Sequence, residues 1–118
     1  MSQQHYRLDW DSIPGVSPEQ AWQRLQQGIA VLVDVREPDE YALIHAEGAI
    51  SMPLSVLGER YQEIPREGDL LLICHIGERS LLAAAFLRRL GWDQVFNVEG
   101  GTDQWEASQL PLRRGNGG

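Results

Sequence analysis

Two apolar runs constrain this chain more than any other feature: "VLVDVR" from Val31 to Arg36, and "LLLIC", residues 70 to 74. Their apolar character is nearly continuous rather than alternating, which suits a strand covered on both faces. Each is followed by turn residues and then by a helical pattern. Strands covered on both sides and separated by helices build an α/β layer structure around a mainly parallel sheet.

The rest of the chain repeats that alternation. "SPEQAWQRLQQG" carries Ser17 as an N-cap, Pro18 at the first helical position, Gln20 three residues after the cap and Gly28 as a stop, which predicts a helix. "EPDEYALIHA" predicts a short helix with Pro38 at its start and acids in its first turn, where the helix dipole favours them. "GAISMP" predicts a short strand, and "SVLGERYQEIP" a helix with Leu57, Tyr61 and Ile64 on one side. "RSLLAAAFLRRLG" is the clearest helix, with paired Arg in its last turn and Gly91 beyond it. "QVFNV" predicts another strand and "TDQWEASQLP" a last helix. "RRGNGG" has nothing to bury and is expected to be a disordered tail.

Composition narrows the function classes. The 118 residues suit one domain. No apolar stretch approaches the roughly 18–20 residues of a membrane span, and the N-terminus lacks the pattern of a signal peptide, so a cytoplasmic protein is expected. A net charge of −7 argues against nucleic-acid or anionic-membrane partners. All ten basic residues are Arg, which suits fork-like recognition of anions. A single Cys excludes an internal disulfide and a CxxC pair and argues against a thiolate metal site, so neither metal nor cofactor is expected.

That single Cys74 stands where the second apolar run gives way to the clearest helix. Backbone N–H groups of a loop curled over a helix start converge and carry partial positive charge, so they cradle an anion and stabilise a thiolate. Gly77 lets a short loop wrap closely. Arg79 can donate paired hydrogen bonds to an oxyanion or to an acid that fixes the loop, and Ser80 can cap the helix. Asp34 and Arg36, at the carboxyl end of the first run, lie where open α/β sheets bind ligands, although they also suit a structural ion pair. This much describes an activated nucleophile in an anion cradle.

"CHIGERS" resembles the C-x-x-G-x-R-S active-site loop of the rhodanese-like family. "VLVDVREPDEY", "HAEGAISMP" and "VEGGTDQW" are similar to three further blocks of that family, in the same order, so the match runs from about Ile13 to Pro111. The resemblance implies a single rhodanese-like domain over residues 1–112, with a central, mainly parallel five-stranded sheet flanked by helices on both faces, and a tail over 113–118. It also implies sulfane-sulfur transfer: Cys74 takes sulfur from thiosulfate or a persulfide, and the resulting persulfide passes it to a thiol or to cyanide. The loop His75, Ile76, Gly77, Glu78, Arg79 and Ser80 would stabilise that persulfide, with Arg79 orienting the donor and Asp34 and Arg36 supporting the site. Its partners would be small sulfur donors and thiol acceptors, or a sulfur-carrier protein or cysteine desulfurase.

Several residues carry two readings. Glu78 suits a helix start, and it also places negative charge where dianionic thiosulfate would enter. His45 reads as a structural turn residue, while His75 reads either as an acceptor contact or as a solvent-facing loop residue. Trp10, Trp22, Trp92 and Trp105 read as packing groups, and Gly100-Gly101 as a tight turn. Two competing functions remain open: a non-catalytic rhodanese-like binding module, and a cysteine-dependent phosphatase. The phosphatase loop has five residues between Cys and Arg; here there are four.

Overall fold

In a computed structural model, which describes residues 12–115, the chain runs β1 (Gly15–Val16), α1 (Pro18–Gln26), β2 (Ala30–Asp34), α2 (Pro38–Leu43), β3 (His45–Ala46), β4 (Ile50–Ser51) and α3 (Leu54–Arg60). A 3-10 turn over Tyr61–Glu63 leads into β5 (Asp69–Ile73), α4 (Glu78–Arg89), β6 (Val95–Val98), α5 (Gly101–Ala107) and β7 (Leu112–Arg113). Five strands make one sheet in the order β1-β6-β5-β2-β4, every pair parallel. The fold is therefore α/β with a five-stranded parallel sheet. The two apolar runs are neighbours in it, in register from Ala30 against Asp69 to Asp34 against Ile73.

Their continuous apolar character has the expected cause. Side chains alternate across a strand, so Leu70, Leu72 and Cys74 face one layer while Leu71 and Ile73 face the other. The first layer packs on Ala83, Ala84 and Leu87 of α4 and Leu57 of α3; the second packs on Ala21 of α1 and Trp105 of α5. Leu70 through Cys74 are all at most 2% exposed.

Local sequence explains the helix ends. Ser17 and Gln20 form a reciprocal capping box on α1, with Gln20 N–H on Ser17 Oγ at 3.1 Å and Ser17 N–H on Gln20 Oε1 at 2.9 Å. Leu57 and Ile64 are buried and Tyr61 packs against the core, although the helix tightens to 3-10 geometry after Arg60. Trp105 is fully buried and meets Trp22 edge to face at 6.0 Å, while Trp92 packs on Tyr61. Trp10 lies outside the described residues.

The structure places the one strand left unassigned and corrects two expectations. The fifth strand is Gly15–Val16, too short to show a period and recruited through parallel pairing with β6. The α2 helix stops at Leu43, and His45–Ala46 pairs antiparallel with Leu112–Arg113. Arg113 therefore belongs to a strand rather than to a tail, and the Gly115 N–H bonds to Ala42 O. Residues 116–118 lie outside the described residues. No helix among the described residues is long and apolar enough to cross a membrane.

Candidate functional site

The order of the sheet decides where a site can form. From β2 the chain moves outward to β4, whereas from β5 it moves the other way to β6, so the connections diverge between these adjacent strands. A crevice opens at the carboxyl ends of strands at such a switch point. Cys74 is the residue after β5, and Asp34 ends β2 beside it.

The Cys74 side chain is buried, at 1% exposure, and two donors reach its sulfur. Gly77 N–H lies 3.1 Å from Sγ, and Ser80 Oγ lies 3.2 Å from it. Gly77 adopts φ of +104°, a left-handed conformation that only glycine takes without strain, and that conformation turns its amide back on the sulfur. Gly77 is also the N-cap of α4, so the helix starts at Glu78. Ser80 is therefore not the cap: it is fully buried inside the first turn, and its hydroxyl also lies 2.6 Å from Asn97 Oδ1.

Beneath the loop, the start of α5 clamps its carbonyls. Thr102 donates its N–H at 2.8 Å and its hydroxyl at 3.0 Å to Cys74 O, and Asp103 N–H reaches His75 O at 3.1 Å. The Gly100-Gly101 turn makes this docking possible, because a Cβ on Gly101 would stand 2.4 Å from Cys74 O and 2.5 Å from His75 O.

Arg79 pairs with an acid. Its two terminal nitrogens meet Glu40 Oε1 and Oε2 at 2.8 and 2.9 Å, a bidentate ion pair that ties the loop to α2. Glu40 Oε1 also accepts the Glu37 N–H at 3.0 Å. The Arg79 hydrogen bonds chiefly hold the Glu40 carboxyl down, at about 2, partial burial opposing them. The same pairing raises Arg79.

Asp34 and Arg36 form a buried pair. Arg36 Nε lies 3.0 and 3.1 Å from the Asp34 oxygens, and a terminal nitrogen lies 2.8 Å from Oδ2 and 2.6 Å from Ile44 O. By the alternation of side chains, Asp34 faces the layer opposite Cys74. The pair therefore braces the corner after α2, and with it Glu40. His45 is buried, bonded through Nδ1 to Tyr41 O at 2.8 Å and stacked on the Tyr41 ring. His75 is exposed and meets Asp103 at 3.0 Å. Glu78 is exposed in the first turn of α4, and Ile76 is half exposed on the loop. Arg36, Glu40, His75, Asp103 and Glu106, together with the apolar Leu43 and Ile44, line an open recess beside the loop.

Sequence reasoning missed Glu40, Asn97 and Thr102. The acid of α2 carried only a helix-dipole signal, and nothing in the local pattern marks Asn97 or Thr102 as neighbours of a loop at least 17 residues before them, counted from Ser80.

Residues 17–108 match the family model described as a rhodanese-like domain. Over 97 residues the chain is 36% identical to the thiosulfate sulfurtransferase GlpE of Actinobacillus pleuropneumoniae serotype 3, covering 82% of this chain and 90% of that protein. Among solved structures, it is similar to a rhodanese-related protein from Thermoplasma volcanium, with a TM-score of 0.78, 28% identity, and coverage of 85% of this chain and 97% of that one. It also resembles part of Bacillus anthracis CoADR-RHD, with a TM-score of 0.74, 32% identity, and coverage of 79% of this chain and 16% of that one.

Proposed function

Because the chain belongs to the rhodanese-like domain family, we propose that it moves sulfane sulfur through a persulfide on Cys74, from thiosulfate or a persulfide donor to a thiol or to cyanide. The observation that carries this reading is the buried Cys74 sulfur with Gly77 N–H and Ser80 Oγ converging on it. Both donors can stabilise negative charge on that sulfur in the thiolate.

The reaction balances with these groups alone. The Cys74 thiolate attacks the outer sulfur of thiosulfate. A new S–S bond forms, the old one breaks, and its electron pair leaves on sulfite. An acceptor thiolate or cyanide then attacks the outer persulfide sulfur, and the pair of that bond returns to Cys74 as thiolate. No second Cys is present to resolve the persulfide within the chain, so the acceptor comes from outside: a small thiol, or the thiol of a carrier protein. A lone reduced thiol suits a cytoplasmic setting, where a cysteine desulfurase could supply the persulfide.

Arg79 acts in this scheme by holding the loop against α2, since both its terminal nitrogens are engaged by Glu40. That engagement also weakens the phosphatase reading, which needs an arginine on the transferred phosphoryl group. The test is intact mass after incubation with thiosulfate. Wild type should gain one sulfur atom and lose it to cyanide as thiocyanate, whereas Cys74→Ser should gain none. No gain from thiosulfate or polysulfide would overturn the proposal and favour a binding module.

A further inference from the structure

The hydroxyl of Ser80 faces two acceptors with one hydrogen. Gly77 O can only accept, so the Asn97 atom 3.2 Å from it is the amide nitrogen Nδ2. This orientation leaves Asn97 Oδ1 on Ser80. Because Oδ1 also can only accept, Ser80 Oγ donates to it across 2.6 Å. Ser80 then turns its lone pairs toward Cys74 Sγ at 3.2 Å, which suits a protonated thiol and opposes an anionic sulfur. If the hydrogen rotates to the sulfur, Asn97 Oδ1 loses its donor at a position only 8% exposed.

We propose that Asn97 is a positioning residue for the Cys74 sulfur, competing with it for the single Ser80 hydroxyl proton. Gly77 N–H is a fixed donor that always favours the anion. Ser80 is a two-position donor, and Asn97 biases it toward the neutral thiol. The proposal deepens the sulfur-transfer reading. As the acceptor removes the outer sulfur and charge returns to Cys74, the Ser80 hydrogen swings from Asn97 to the sulfur, and it swings back when the thiol is reprotonated.

The charged groups on the elements around the sulfur are Arg79 with Glu40 from α4 and α2, Asp34 from the end of β2 with Arg36 just after it, His75 with Asp103 from the loop and α5, and exposed Glu78. A neutral substitution at position 97 changes none of their charges. The experiment is the pH dependence of Cys74 alkylation by iodoacetamide, followed by intact mass; the thiol is the only one in the chain. Asn97→Leu releases the Ser80 proton to the anion, and the pH of half-maximal rate should fall by about one unit, the difference between a neutral and a charge-assisted hydrogen bond. In a Ser80→Ala background the same substitution should produce no shift. A midpoint that stays or rises, or a shift that persists without the Ser80 hydroxyl, overturns the proposal and leaves Asn97 a mere brace for Gly77. Should leucine not be accommodated, Asn97→Ala removes the same oxygen with less bulk. Alkylation needs no sulfur donor, so its outcome is separate from that of the sulfur-transfer test.

Discussion

Replacing Gly101 by alanine tests whether the start of α5 builds the loop that presents Cys74. The added Cβ would meet Cys74 O at 2.4 Å, His75 O at 2.5 Å and His75 C at 2.6 Å, all of them backbone atoms that no rotamer change can move. Gly101 also has φ of +60°, where a non-glycine residue costs about 1–2 kcal/mol. Overpacking at a close-packed contact adds about 1–3 kcal/mol, so the sum is about 2–5 kcal/mol. Relief requires α5 to back away, and its hydrogen bonds to Cys74 O and His75 O from Thr102 and Asp103 would then be lost. Urea unfolding followed by Trp fluorescence should show Gly101→Ala less stable by about 3 kcal/mol, with a melting temperature about 10 °C lower. Sulfur loading from thiosulfate, measured where the variant is still folded, should slow at least about tenfold, since displaced donors lose the sulfur. Gly58→Ala is the control: nothing lies within 4 Å of its Cβ, and in helix α3 alanine should be neutral or slightly stabilising. A Gly101→Ala protein within about 1 kcal/mol of wild type, loading sulfur normally, would refute the clamp.

Two further perturbations address the ion pairs. Glu40 has its carboxyl lowered from 4.5 to about 2, so its contribution to stability is present above pH 4.5 and is lost as pH falls toward 2. Glu40→Gln should flatten the unfolding free energy across that window and cost about 1 kcal/mol at pH 7, the side chains of the pair being 34% and 36% exposed and thus screened; identical acid profiles would contradict this. Asp34→Asn leaves the Arg36 charge buried, its side chain only 5% exposed, and should cost about 3–5 kcal/mol in urea unfolding. A loss below about 1 kcal/mol would mean that Arg36 finds water.

The strands and helices that carry the site were legible because each is locally consistent. Ser17 and Gln20 announce α1 by hydrogen bonds made within four residues, Pro18 by its fixed φ at the first helical position, and "LLLIC" announces a covered strand by its composition. The loop was legible for the same reason: Gly77 turns its own amide on a sulfur three residues before it. Local chemistry also misled. Ser80 ahead of an apolar helical run looks like a cap, yet a glycine with positive φ already begins the helix, and the hydroxyl is left to face inward. β3 and β7 were invisible because two-residue strands have no period, and their pairing joins segments 66 or more residues apart in register, Ala46 to Leu112.

What locality cannot supply is the partner of a charge. Arg79 was open to an oxyanion or to an acid, and both choices obey the same fork geometry. Strand order decides between them. β2 and β5 are adjacent, so the helix after β2 and the loop after β5 leave the sheet side by side, and Glu40 arrives 39 positions away in sequence yet 2.8 Å away in space. On the sulfur-transfer reading proposed above, an anionic donor entering this crevice would meet an arginine already paired with Glu40 and a recess that also presents Asp103 and Glu106. Stabilisation of charge at the Cys74 sulfur then falls on dipoles rather than on Arg79: the Gly77 amide, and the Ser80 hydroxyl when its hydrogen turns from Asn97. Dipoles aimed at one atom favour charge concentrated on one sulfur rather than charge spread over a large anion, which agrees with the persulfide proposed on Cys74.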